Sequence, residues 1–119
     1  MKELTKAEEQ IMQAIWKIGH GFAQDIIHSL SEPRPAYTTI LTIVRILEKK
    51  GFVAHDTFGK SHRYYPLVTK KEYTSSLLKN LVHHYFDNSF KSMVSFFAEN
   101  RNISVEELEE IKKMINSGS

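Results

Sequence analysis

Residues 36–50 read AYTTILTIVRILEKK and residues 51–67 continue GFVAHDTFGKSHRYYPL; the change of period between these two blocks decides the fold. In the first block Ile40, Ile43, Val44 and Leu47 recur at helical spacing. That is the stripe of an amphipathic helix from about Tyr37 to Lys50, with Gly51 placed as its terminator. In the second block two aromatic and β-branched runs, Phe52 to Phe58 and His62 to Leu67, flank Gly59-Lys60-Ser61. Alternation around a glycine turn reads as a β-hairpin.

Upstream, Thr5-Lys-Ala-Glu8 is a capping box that opens a helix whose stripe is Ile11, Met12, Ile15 and Trp16, stopped by Gly19 and Gly21. Ala23, Ile26, Ile27 and Leu30 give a short second helix, broken by Ser31-Glu-Pro-Arg-Pro35. Helix, helix, helix, hairpin is the order of a winged helix-turn-helix, expected over residues 1–68. Downstream, Thr69-Lys-Lys-Glu72 caps a long helix with Tyr73, Leu77, Leu81 and Tyr85 along one side, interrupted at Asp87-Asn-Ser89. Phe90, Met93, Val94 and Phe97 form the next stripe, and Ser104-Val-Glu-Glu107 caps a last helix carrying Leu108, Ile111 and Ile115. The fold class is therefore mainly α with a small β-hairpin: a winged-helix head, and a helical dimerisation domain over residues 69–119. About fifty residues seldom bury that much apolar surface alone, so a second copy of the chain is the expected cover, with those stripes as the dimer interface.

Composition bounds the chemistry. The chain has 119 residues, 41% hydrophobic and 25% charged, with no cysteine. Disulfides, cysteine-based zinc sites and thiol catalysis are excluded. Met1 to Gln10 carries no apolar signal core, and no run approaches the ~18 apolar residues of a membrane span. A cytoplasmic protein without membrane insertion is expected. A net charge of +2 argues little by itself, but the positive excess is local. Between Ala36 and Val68 stand Arg45, Lys49, Lys50, Lys60 and Arg63 against Glu48 and Asp56, whereas Thr69 to Ser119 is balanced.

Opposite the core stripe of the third helix lie Thr38, Thr42, Arg45 and Lys49, with Thr39 beside them. Threonine hydroxyls and methyls can meet base edges, and an arginine can fork to guanine or phosphate. A merely solvated face would ordinarily carry better helix formers than threonine. In the hairpin, Lys60 and Arg63 can reach flanking phosphates if the hairpin serves as a wing, or can simply decorate an exposed turn. Six histidines invite a metal site, but the adjacent His83 and His84 diverge by about 100° on a helix and no H-E-x-x-H pattern occurs. No nucleophile elbow, phosphate loop or paired carboxylates appear, so neither an enzyme nor a bound cofactor or metal is expected. Trp16 belongs to the core stripe rather than to a ligand site. The competing expectation is a winged-helix module that binds another protein without specific DNA readout.

The chain resembles the BlaI/MecI/CopY penicillinase-repressor family from Leu4 to Asn116. The carriers are Leu4-Thr-Lys-Ala-Glu-Glu with Ile15-Trp16, Ala36-Tyr-Thr-Thr-Ile-Leu-Thr running to Lys49-Lys-Gly-Phe-Val, Arg63-Tyr-Tyr-Pro-Leu, and Ser104-Val-Glu-Glu-Leu. The resemblance implies a homodimeric repressor of double-stranded DNA operators with inverted TACA/TGTA-type half-sites, dimerised through its C-terminal helices. It assigns recognition to Thr38, Thr39 and Thr42, with Arg63 in the wing. Family members commonly carry an arginine where this chain has Ile46, and some carry one where it has Leu41, while Arg45 is offset by one position. In the β-lactam-responsive branch a membrane sensor-protease pathway leads to cleavage of an Asn-Phe bond. The corresponding pair here is Phe96-Phe97, without that asparagine. The copper-responsive branch binds metal through C-terminal cysteines, which this chain lacks.

Overall fold

The computed structural model describes residues 1–100 and 104–117, apart from the side chains of residues 112 and 115–117. In chain order the elements are α1 (Lys6–Ile18), α2 (Ala23–His28), α3 (Tyr37–Lys49), β1 (Val53–Phe58), β2 (Ser61–Pro66), α4 (Lys70–Tyr85), α5 (Phe90–Glu99) and α6 (Val105–Ser117). They fall into two compact units, Met1–Ser75 and Ser76–Ser119, with α4 beginning in the first and ending in the second. The chain is thus mainly helical with one antiparallel two-stranded hairpin, consistent with a winged-helix head and a helical tail.

The capping box of α1 is complete. The Glu8 amide donates to Thr5 Oγ1 at 3.2 Å and the Thr5 amide to Glu8 Oε1 at 2.9 Å. Thr5→Ala removes one half of this exchange and is expected to lower head stability by about 1 kcal/mol in denaturant unfolding. Ile11, Met12 and Ile15 of α1, Ile26 of α2, Ile40, Val44 and Leu47 of α3, and Val53 of β1 are all fully buried. Three short helices with a hairpin closing one side thereby share a single core, and each stripe spaced i, i+3, i+4 supplies one wall.

Helix α3 ends in a Schellman arrangement. The Phe52 amide reaches back to the Leu47 carbonyl at 2.9 Å and the Gly51 amide to Glu48 at 3.0 Å, with Gly51 at φ +84°. Because Phe52 and Leu47 are both buried, this cap also aims the chain into β1. The hairpin register pairs Asp56 with Arg63 and Phe58 with Ser61, leaving a two-residue turn in which Gly59 adopts φ +63°. Glycine first in such a turn matches the right-handed strand twist.

Gly19 caps α1, and Gly21 has a different part. Its backbone exchanges two hydrogen bonds with Tyr64, at 2.8 and 2.9 Å, adding a one-residue third rung to the wing. A Cβ there would stand 2.7 Å from Ile18 Cδ1 and 3.0 Å from Asp25 Cβ, so any larger residue requires the Ile18 side-chain tip to swing aside and Asp25 to give a little.

The second unit is thin by comparison. Among its described residues Val82 is the one fully buried side chain. The break between α4 and α5 is made by Asp87 and Asn88, both at positive φ, and Ser89 caps α5 by accepting from the Ser92 amide at 3.0 Å. Ser104 caps α6 in the same way through the Glu107 amide. Among the described residues no helix is long and apolar enough to cross a membrane.

Candidate nucleic-acid interface

The core side of α3 fixes what its other side presents. With Ile40, Val44 and Leu47 turned inward, Thr38, Thr39, Thr42, Arg45 and Lys49 are all exposed. The Thr42 hydroxyl donates to the Thr38 carbonyl at 3.0 Å, so its methyl and its acceptor lone pairs are what it can offer outward. Arg45 shares a groove with Lys60 and Ser61 at the hairpin tip, together with Gln24 of α2 and Tyr37, Leu41, His62 and Tyr64. The structure therefore brings together the helix and wing residues that the sequence set apart by some fifteen positions.

The five bases of this segment divide into two sets. Lys50 is committed inward, with Nζ 2.8 Å from both oxygens of the buried Glu8 carboxylate. Arg63 is half-buried, stands 3.5 Å from Asp56 across the hairpin and lies over the Phe58 ring at 4.8 Å. Its Nε is buried and has no hydrogen-bond partner among the described residues. Arg45, Lys49 and Lys60 enter no ion pair among the described residues. These three cations, with the threonine face, are the groups available to a polyanion.

Charge and hydrogen bonding also stiffen the joint between α3 and the wing. His55 Nδ1 meets Glu48 Oε1, and the His55 ring stacks on His62 at 4.1 Å. Burial, and to a lesser extent the Glu48 carboxylate, push the Tyr64 phenol above its ordinary range, so it stays neutral at the groove floor. The spacing rules that found the threonines gave no sign of Gln24, Tyr37 or His62, because they come from three separate elements. Ile46 is also exposed, at 42%, and with Met1, Lys2 and Lys49 borders a hollow at the far end of α3.

The expected dimer stripe is distributed unevenly. Tyr73 is a correction: it packs in the head core, its hydroxyl accepting from the Leu4 amide at 2.9 Å and its ring 5.9 Å from Trp16 and 5.8 Å from Phe52. Leu81, Tyr85 and Phe90 are exposed, and Leu77, Met93, Val94, Phe97, Leu108 and Ile111 are half-buried. The Ile115 side chain lies outside the described residues. Phe96 is 49% exposed, with its ring against Phe86 at 5.6 Å and Phe97 at 6.0 Å. Among the described residues no group of three metal-ligating side chains comes together.

The family model for the penicillinase repressor matches residues 4–117. The chain is 30% identical over 115 residues to the methicillin resistance regulatory protein MecI of Mammaliicoccus sciuri, covering 96% of this chain and 94% of that protein. The MecI of Staphylococcus aureus strain N315 is equally similar, and the penicillinase repressor of Bacillus licheniformis is 27% identical over 95% of this chain and 89% of its own length. These relatives are regulators, not enzymes. A winged-helix head with a threonine-bearing α3, in a chain matched almost end to end, places this protein in the penicillinase repressor family of transcriptional repressors.

Proposed function

We propose that the chain works in the cytoplasm as a homodimer that occupies a two-fold operator in double-stranded DNA and blocks transcription. The observation that carries this reading is the exposed α3 face of Thr38, Thr39, Thr42 and Arg45, continuous through one groove with Lys60 of the wing. An α-helix fits the major groove, where threonine methyls, together with the apolar Leu41 and Ile46, suit thymine-rich half-sites and Arg45 suits guanine or phosphate. Lys49, Lys60 and Arg63 hold register on the backbone without specifying sequence. Arg63 must exchange its Asp56 contact for a phosphate to do so.

The tail supplies the second head. Leu81, Tyr85 and Phe90 leave exposed apolar surface for a copy of the same tail to cover, and two linked heads bind far more tightly than one. Release follows when that tail is loosened or cut through a membrane sensor-protease pathway. The Phe96–Phe97 bond lies within α5, so cleavage there requires local unwinding.

Selection from random duplex DNA tests the reading: an inverted repeat is enriched, and its affinity falls steeply with salt. Arg45→Ala weakens binding to that duplex by about tenfold. A pool without enrichment, or an affinity indifferent to salt, leaves a protein-binding module instead.

A further inference from the structure

We propose that His62 is a further phosphate-contacting residue of the operator complex and that it takes up a proton when the duplex binds; this rests on the DNA-binding reading above. His62 is exposed on β2 and lines the groove shared by Arg45 and Lys60. One of its faces is covered by the His55 ring, 4.1 Å away and within 14° of parallel. On α3 the Glu48 carboxylate is engaged by His55 Nδ1, the ring stacked on His62.

The groups around His62 set its charge. From α3 come Arg45, Tyr37 and Glu48, from β1 His55, from the turn Lys60, and from β2 itself Tyr64. Asp56 and Arg63 point to the opposite face of the hairpin and pair with each other. A phosphate entering the groove meets Arg45 and Lys60 and gives a His62 imidazolium a charge-assisted partner, which favours the protonated ring in the complex. Imidazole is the side chain whose charge such a partner can change near neutrality.

Proton uptake on binding makes affinity rise as pH falls, with a slope of log affinity against pH that approaches −1 per coupled proton. Operator affinity is therefore expected to be about tenfold tighter at pH 6 than at pH 8, at constant ionic strength, with the duplex enriched by selection. His62→Gln removes that slope, whereas His20→Gln, distant on the α1–α2 turn, retains it. The His62 ring resonance in a proton NMR titration moves to a higher midpoint when the duplex is added. A slope that persists in His62→Gln, or a midpoint unmoved by duplex, overturns the proposal. Sequence-specific, salt-dependent binding that is flat with pH overturns it while the DNA reading stands; no specific binding at either pH overturns both.

Discussion

Val94→Glu in α5 is expected to convert the protein from dimer to monomer and to weaken binding to its operator by about a hundredfold or more. The expectation follows from what the tail buries by itself. Across residues 76–119 Val82 is the one described side chain fully withdrawn from water, while Tyr85 is 76% exposed and Phe90 and Phe96 are each 49% exposed. A unit so poor in core, with aromatic rings facing out, is expected to gain much of its apolar burial from a partner copy. Placing a carboxylate at this half-buried apolar position would bury a charge in the expected contact, at a cost far above that of the valine. The head folds around its own core, so its thermal transition should stay where it is in the wild type. Sedimentation velocity reads the oligomeric state, and titration of a duplex carrying one half-site against one carrying two reads the linkage. Equal affinity of the variant for both duplexes marks independent heads. Retention of a dimer would place the interface on other residues.

The head was legible to the extent that its elements announce themselves locally. The capping box at Thr5, the α3 stripe and the glycine turn at Gly59 each stand at the place their chemistry implies. Contacts that join distant segments were not legible. Tyr73 continues the Leu77 and Leu81 stripe by period, yet its ring belongs to Trp16 and Phe52. Period tells which residues share a helix face, but not that one helix begins in one compact unit and ends in another. Gly19 ends α1 as glycines do, whereas the pairing of Gly21 with Tyr64 depends on a strand 43 positions away. The candidate interface divides along the same line. Its threonines and Arg45 follow from one helix, whereas the groove with Lys60 and His62 exists only once α3 and the hairpin pack. Lys50, counted with the positive excess, is turned inward for a reason the sequence hid: the glutamate that completes the α1 capping box also needs a cation.

That double duty makes Lys50→Met the other large effect, an expected loss of about 2 kcal/mol of head stability at pH 7. Removing one member of a buried pair costs more than that when both are dry; here the Lys50 side chain is 27% exposed and Glu8 6%, so the cost is discounted. Burial pushes the Glu8 carboxyl up, but the hydrogen bond and charge of Lys50 with the two Thr5 hydrogen bonds outweigh it, and the group sits below its ordinary range. A carboxyl lowered by folding contributes stability that is fully present above its unfolded value, about 4.3, and is lost as pH falls through the folded value. The wild-type head should accordingly lose stability on its acid side. In Lys50→Met the burial effect is opposed by Thr5 alone, so Glu8 moves up and the carboxylate becomes a liability that protonation relieves. The deficit of the variant against wild type should then shrink between pH 7 and pH 4 in denaturant unfolding. Adding Glu8→Gln, which keeps the capping geometry and removes the charge, should restore most of the loss at pH 7. A deficit that is constant with pH, or a double variant no more stable than Lys50→Met, would mean that the lysine acts through packing of its methylene stem rather than through the pair.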